Sequence, residues 1–549
     1  NMSIAKFIPG KINQWQHHKT DDLDIWIAGY ESLLIFKKFI DNINSCKNIN
    51  KRLIKTFLKS INQHFGIIII SKHWAFAAAD CARSYPIFWK NNNNKTLISP
   101  QANNIYDMSP SKIDKSQQLA FQMSGYTIGN STLWRGIKSV GPGELIIFKK
   151  SNKYITENYF TYSPWIYPKS SYKKLKVELK MNIKKMILKL IEQANGKTII
   201  IPLSAGLDSR LIASGLKEYN YSKVKCFSYG LKNNFESKAS EFIAKKLGYE
   251  WKFVKTDIKI AKKFFTSSQY DEFISLANDG CATVGIQDIY PIKILVSQGY
   301  ITKSDLIVNG NSGDFISGGH IPRNSLKWKP KKSMNLILKD IFDNHIEKHY
   351  SLWEKLLNKK NKDIIKKEIK KEIKKIPLDL KKNNMSHGIL EFIEYQNRQC
   401  KYVVNFQRVY DYYNLKWLLP LWDKSFIEFW SKVPIEYKIE QKLYKETLSE
   451  LNMGLVWTKS FDFEHKIHSE WIKALRFFFK ICFILQGKKK WHRFDRKYFS
   501  YWTDNICGQA ILPYKKIITN KYGARHFVSW HTLVCEYKNL KSNWQKLKF

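Results

Sequence analysis

Residues 199–210 read Ile-Ile-Ile-Pro-Leu-Ser-Ala-Gly-Leu-Asp-Ser-Arg, and this stretch decides the fold of the larger part of the chain. The apolar run Thr198–Leu203 is short enough for a buried parallel strand. It stops at the small residues Ser204, Ala205 and Gly206, and a helix start follows from Leu207. A strand, a tight turn and a helix N-terminus make an anion cradle, because free backbone N–H groups and the helix dipole both favour negative charge. Ser204 and Ser209 add hydroxyls. Asp208 repels phosphate directly but suits a Mg²⁺ ion that bridges phosphates. No Gly-Lys-Ser/Thr ending is present, so this is not a Walker A loop.

Working outward, Val224–Gly230 reads as the next strand, 236–247 as a helix capped by Gly248, and Trp251–Val254 as another strand. This β-α-β-α-β alternation predicts a parallel, doubly wound sheet with ligands at its C-terminal strand ends. Ser204–Ser209 then shares a rim with Ser228, Tyr229 and Gly230, which sets an adenine near Tyr229. Further on, Leu306-Ile307-Val308 runs into Asn309-Gly310-Asn311-Ser312-Gly313-Asp314-Phe315-Ile316-Ser317-Gly318-Gly319-His320. This is a second strand feeding a Gly-rich loop with one carboxylate. Asp314 is the candidate second Mg²⁺ ligand, facing Asp208.

The first loop resembles the Ser-Gly-Gly-x-Asp-Ser pyrophosphate loop of substrate-adenylating ATP pyrophosphatases, with Ala205 at a Gly position. With Gly310–Gly319, Leu419-Pro420-Leu421-Trp422-Asp423 and Lys445 in Tyr444-Lys445-Glu446-Thr447-Leu448, the chain resembles the synthetase domain of the asparagine synthetase family. Four motifs stand in order over about 250 residues. The resemblance implies ATP and Mg²⁺ as cofactors. It puts Ser204, Gly206, Asp208, Ser209, Ser228, Tyr229, Gly230 and Gly313 around the nucleotide, and Asp208 and Asp314 on the metal. Lys445 is the expected catalytic cation, Asn311 and His320 the substrate-side residues, and Asp423 a structural one.

Upstream, His64–Ile70, Ala77–Asp80, Pro86–Trp89, Ser131–Ile137 and Gly141–Glu144 resemble the class II glutamine amidotransferase domain, an Ntn-type β-sandwich. The Cys nucleophile of that class is missing: the chain starts Asn1-Met2-Ser3, with Asn1 read as an addition ahead of Met2, and its first Cys is Cys46. The glutamine-holding segments are missing too, and Ile27-Ala28-Gly29-Tyr30 stands near one of them. Glutaminase chemistry is therefore expected to be lost, as in β-lactam synthetases and lasso-peptide cyclases. Ser3 as nucleophile would need a stronger base than Cys.

The expected architecture is α+β followed by α/β. Residues 1–162 form the degenerate glutaminase-like domain, and 163–171 a linker. Residues 172–456 form the ATP-pyrophosphatase/synthetase domain with helical additions, and 457–549 a helical extension without a readable motif. Arg398, Lys401 and Arg408 are assigned to one amphipathic helix. The run Lys366–Lys375 is assigned to a helix with an Ile365, Ile369, Ile373 stripe.

With 549 residues, 44% hydrophobic and 15% aromatic, the chain is globular rather than disordered. Stretches such as Phe477–Leu485 are too short to cross a bilayer. No secretory signal reads at Met2–Lys6. The eight Cys are scattered without Cys-x-x-Cys, which excludes a zinc-ribbon or disulfide framework and suits the cytoplasm. The net charge of +45, from 92 Lys+Arg against 47 Asp+Glu, fits solvated Lys-rich faces, an anionic membrane surface or acidic sugar substrates. Nucleic acid is not an expected partner. The basic aromatic run Lys488–Phe494 is the candidate membrane contact.

The chemistry implied is adenylation of a carboxylate and its capture by ammonia or an amine, the donor coming free or from a separate protein. Asparagine synthetases carry Glu where Asn311 stands, so aspartate is a poor fit. The Gly310–His320 and Asn397–Tyr410 segments resemble asparagine-synthetase-like proteins of surface-polysaccharide biosynthesis, which implies a uronic-acid-type carboxylate. The alternatives are an asparagine synthetase, a β-lactam-synthetase- or lasso-cyclase-like ligase, and a nucleotide-binding scaffold without chemistry.

Overall fold

The structure is a computed structural model that describes residues 4–541, apart from 11, 13–14, 31, 45–48, 93–94, 151–152, 166–169, 329–333, 377–384, 459–469 and 505. Ser3, Cys46 and part of the 163–171 segment lie outside the described residues.

Two sheets build the amino-terminal part. Six antiparallel strands run in the order Tyr154–Asn158, Glu144–Lys149, Trp74–Ala79, Gly66–Ile70, Asp24–Ala28, Trp15–Lys19. Side chains of a strand alternate between faces. Ile67 and Ile69 therefore meet Phe36, Phe39, Ile54 and Leu58 of two covering helices. Ile68, Ala75, Ala77 and Ala79 meet the second sheet through Phe88 and Ile98. The alanines keep that interface thin. The second sheet has four strands in the order Ala5–Phe7, Lys95–Ser99, Phe88–Asn92, Lys138–Ser139, and the Ala102–Met108 helix covers it.

The third sheet is fully parallel, in the order Glu250–Lys255, Val224–Gly230, Ile199–Pro202, Leu306–Val308, Lys416–Leu418. Its order reverses at Ile199–Pro202, so the loops after Ile199–Pro202 and Leu306–Val308 flank the switch point where open parallel sheets hold ligands. Ile199 and Ile201 face Ile212, Leu216 and Ile243 on one side, and Ile200 packs on the other. Helices follow each strand as the alternation predicts, and Gly248 ends Phe235–Leu247 at φ 74.

One assignment changes. The 395–412 stretch is not one amphipathic helix. It winds as a π-helical segment Tyr395–Val403, a 3₁₀ turn Val404–Gln407 and a short helix Arg408–Tyr412. The Lys401 ammonium is buried and donates to Thr127 O at 2.8 Å. Arg408 donates to Ser84 O at 2.8 Å. Both cations therefore tie the amino-terminal part to the rest, and solvent is left to Arg398. Within the helical extension, Trp530, Val534 and Cys535 of the Phe527–Asn539 helix share the main core with Phe265, Tyr270 and Phe273. The Ile365, Ile369, Ile373 stripe is buried on the Lys359–Ile373 helix as the periodicity predicts.

Candidate active site

The two switch-point loops touch. The helix Leu207–Glu218 starts at Gly206 with φ −66, and Ala205 is not among the left-handed residues, so alanine in place of glycine there carries no backbone strain. Ser209 Oγ accepts from Ser204 N at 3.1 Å and lies 3.1 Å from Ser204 Oγ. Gly206 N donates to Ser204 Oγ at 3.1 Å. The serines thus brace the turn and leave the first helical N–H groups facing the cavity. The second loop is pressed against the first. A Cβ at Gly310 would lie 2.6 Å from Ser209 N, and one at Gly313 would strike the Asp208 carboxylate. Both glycines are needed because no side chain fits.

That contact brings Asp208 and Asp314 together. Asp314 N donates to Asp208 Oδ2 at 2.9 Å, and the Tyr444 hydroxyl donates to Asp208 Oδ1 at 3.2 Å. Burial and the neighbouring Asp314 charge push the Asp208 carboxyl up to about 8. Asp314 is held below the usual carboxylate range: burial opposes its charge, but the His320 hydrogen bond and charge outweigh it. Two adjacent carboxylates of which only one is readily ionised are short of a positive partner.

His320 links this pair to a buried hub. Its Nε2 lies 3.1 Å from Asp314 Oδ2, and its Nδ1 bonds Glu394 Oε1. Burial would lower the His320 pKa, but the two carboxylates carry it to about 9. Both ring nitrogens then donate, as an imidazolium requires. Glu394 also accepts from His349 Nε2 at 2.9 Å, Gln399 Nε2 at 3.0 Å and Arg398 Nη1 at 3.4 Å. Burial works against its charge, and the imidazoles of His349 and His320 more than offset that, holding it well below the usual range. Lys348 Nζ donates to His320 O at 2.9 Å.

Asp208, Asp314, His320, Lys348, His349 and Arg398 line one cavity of about 1020 Å³, at the upper end of small-molecule sites. Ser204, Gly206, Asp208 and Ser209 form one end. Tyr229 stands beside them, and its hydroxyl donates to Asp288 Oδ1 at 2.6 Å. Tyr410 donates to Asp288 Oδ2 at 2.6 Å. The opposite wall is cationic, with Lys348, Arg398, Arg496 and Arg525, beside the rings of Tyr126, Tyr402 and Phe406. Asn311, Asp314 and His320 lie between the two ends. Ser228 and Gly230 are not among the lining residues, although Ser228 Oγ is buried with no hydrogen-bond partner among the described residues. Gly313 acts by close approach.

Lys445 does not join this group. It is exposed on the Lys442–Leu451 helix and is not among the lining residues. One residue earlier, Tyr444 points inward, and Gln441 at the helix start lines the cavity, its Nε2 donating to Ser317 Oγ at 2.7 Å. The 100° step of a helix turns Lys445 away once Tyr444 faces in. Asp423 is structural: it caps the Lys424–Ser431 helix and pairs with Lys189. Glu394, His349, Lys348 and Asp288 escaped sequence reading. The Glu391, Glu394 pair set among Ile389, Leu390, Phe392 and Ile393 and the His345, His349 pair one helical turn apart were the available signals. Arg496 and Arg525 had none.

Residues 197–461 match the family model described as asparagine synthase. Over those residues the chain belongs to the asparagine synthase family. Membership carries ATP-dependent carbon–nitrogen ligase chemistry on small-molecule substrates, with ammonia or glutamine as nitrogen source. No curated protein matches the chain. Among solved structures, it is similar to the glutamine phosphoribosylpyrophosphate amidotransferase of B. subtilis complexed with ADP and GMP. The identity is 11%, coverage is 45% of this chain and 74% of that one, and the TM-score is 0.18. It is also similar to a structure described as the allosteric regulatory enzyme of purine biosynthesis, at 12% identity, 53% and 55% coverage and TM-score 0.17. No common fold follows from scores so low. All of the loop residues described above, from Ser204 to His320, lie inside the asparagine synthase match.

Proposed function

We propose that this asparagine synthase family member adenylates a carboxylate on an acidic sugar-type acceptor, releases AMP and pyrophosphate, and joins ammonia or an amine to the acyl group. The observation that carries this reading is the Asp208–Asp314 pair at the sheet's switch point, opening into a cavity whose far wall holds Lys348, Arg398, Arg496 and Arg525.

The residues fit a magnesium nucleotide on three grounds. The glycines Gly310 and Gly313 let the second loop press on Ser209 and Asp208, where a Cβ would collide, and so bring the two carboxylates together. Asp208 and Asp314, with no group of three or more metal-holding side chains among the described residues, suit a hard cation whose remaining ligands are phosphate oxygens and water. Ser228 Oγ is an orphaned polar atom at the end of the strand that carries Tyr229. When bound, ATP supplies the adenylyl group and Mg²⁺ the charge that offsets pyrophosphate. Ser204, Ser209 and the N–H groups opening the Leu207–Glu218 helix would hold the phosphates. Asp208 and Asp314 would hold the cation, and Tyr229 would lie along the base.

The chain's own residues do the rest. Imidazolium His320 sits between Asp314 and Glu394 and brings positive charge to the boundary between nucleotide and acceptor ends. Lys348 and Arg398 add to it, and preorganised charge of this kind stabilises the negative charge that develops on phosphate and acyl oxygens. Arg496 and Arg525 favour an anionic acceptor, while Tyr402 and Phe406 offer ring faces. Asn311 leaves no carboxylate for an α-ammonium group, which favours a uronic acid over aspartate. A place in surface-polysaccharide biosynthesis, in the cytoplasm, is part of this reading. Buried free thiols at Cys81, Cys226, Cys281, Cys400, Cys507 and Cys535 support a reducing compartment.

The amino-terminal part is read as a class II glutaminase scaffold without its chemistry. Its helix–sheet–sheet layering supports this. So does its closed polar network, in which Ser84 Oγ bonds His64 Nδ1 at 2.9 Å and Asp80 Oδ1 at 3.3 Å. The test is turnover of ATP labelled in the α-phosphate with a panel of hexuronic acids and ammonia. AMP and pyrophosphate are expected with one of them; ADP and phosphate as the only products would sink the reading.

A further inference from the structure

The helix Glu470–Cys482 is apolar on two opposite faces. One face carries Ile472 and Phe479, continued by Phe483, and these pack on Trp491, Phe494 and Phe499 of the following helices. The other carries Trp471, Leu475, Phe477, Phe478 and Ile481, and the turn after the helix adds Ile484 and Leu485. These seven side chains are between 41% and 99% exposed, Leu485 the most. At 100° per residue the exposed set covers nearly half the helix circumference. A helix apolar all round belongs in a core or in lipid, and a contiguous patch of large side chains marks an interaction surface.

The patch is bordered by exposed cations. Lys480 lies beside the apolar arc, and Lys488, Lys489 and Lys490 open the next helix, Lys488–Tyr498. The nearby carboxylates are engaged elsewhere: Glu470 pairs with Lys473 at 2.6 Å, and Asp495 takes Arg476 at 2.6 and 2.8 Å. Among the described residues none is paired with Lys480 or with Lys488–Lys490. No described helix is long and apolar enough to cross a membrane, and an amphipathic helix with a basic border suits the plane of a lipid interface. A second copy of a chain with net charge +45 would be repelled.

We propose that this surface docks on an anionic lipid bilayer. Trp471, Phe477, Phe478, Ile484 and Leu485 seat at the headgroup–acyl boundary, and Lys480 and Lys488–Lys490 meet headgroup phosphates. Apolar burial and a polybasic cluster together give the two signals that stable, reversible membrane attachment needs. The helix that carries the lysines also carries Arg496 of the cavity wall, so docking surface and cavity share one element. The inference does not depend on the reaction catalysed.

Full-length protein is sedimented with phosphatidylcholine vesicles and with vesicles that also contain phosphatidylglycerol, at low and high salt. Binding is expected to the anionic vesicles and to weaken with salt. Reversal of Lys488, Lys489 and Lys490 to Glu should cut the partition coefficient about 100-fold. The triple variant F477S/F478S/L485S should lose binding while keeping its melting temperature, since all three side chains face solvent. Absence of binding to anionic vesicles overturns the proposal. So does equal binding to both vesicle types that survives lysine reversal. A wild-type dimer that the serine variant converts to monomer overturns it in favour of a second copy.

Discussion

Two carboxylates stand at strand ends, one in each half of the molecule, and they are treated in opposite ways. Asp80 follows the Trp74–Ala79 strand of the antiparallel sheet. Its oxygens accept from Phe65 N at 2.9 Å, Ala82 N at 2.6 Å and Ser84 N at 3.2 Å. Backbone donors fill its lone pairs and lock the turn. Asp208 follows the Ile199–Pro202 strand of the parallel sheet. It receives one backbone N–H and one phenol, and it faces a second carboxylate across an open cavity. The first is an acceptor used up by the fold. The second is left short of positive charge, and such a deficit is what a bound cation makes good.

The comparison breaks most sharply at the Asp208–Asp314 pair. Asp314→Asn removes an anionic oxygen ligand and the His320 partner, and turnover should fall by about 10²–10³, the scale of losing one transition-state electrostatic group. Pyrophosphate release measures it, and Mg²⁺-dependent nucleotide binding should weaken in parallel. A variant with normal turnover would make Asp208 and Asp314 as structural as Asp80.

Asp80→Asn is the counterpart. It turns an acceptor toward one of the N–H donors into an amide donor and should cost about 2–3 kcal/mol of stability, read from urea unfolding. The folded fraction should keep its turnover number. Loss of turnover without loss of stability would merge the two roles.

The antiparallel sheet holds its own uncompensated carboxylate, and pH exposes it. Burial outweighs the bonds from Gly141 N and Asn130 and pushes Glu144 up to about 7. A raised folded-state value means the native chain holds the proton more tightly than the unfolded one. The resulting stability is full below about pH 4.5 and is lost as pH rises through 7. Between pH 5 and 8 the wild type should lose about 1–3 kcal/mol that Glu144→Gln does not. Melting curves across that range decide it, and identical slopes would refute the assignment.

The smallest effect is expected at Lys445. Exposed on its helix, it should change turnover less than about twofold on replacement by Ala, as surface substitutions do. A loss of about 10² or more would return it to the reacting centre and require the Lys442–Leu451 helix to rotate.

The loops were legible because their constraints are local. Ser204 to Ser209 and Gly310 to Asp314 follow short apolar strands, and strand–turn–helix geometry alone places N–H groups and a carboxylate on the sheet rim. Gly248 as a helix end and the Ile365, Ile369, Ile373 stripe were readable for the same reason. Lys445 stands outside the cavity lining because a motif fixes neighbours in sequence but not the angle at which a helix lies on its support. Arg398 was singled out correctly as a basic residue, while the burial of Lys401 and Arg408 was not foreseen, since π-helical winding shifts every following side chain around the axis.

The sequence by itself determined the parallel sheet and the two cradle loops, because periodicity and turn residues act over a few positions. Only the tertiary structure decided the acceptor side of the cavity. His349, Lys348, Arg398, Arg496 and Arg525 come from segments well apart in sequence, and their charges act together only because packing brings them to the lining of one cavity.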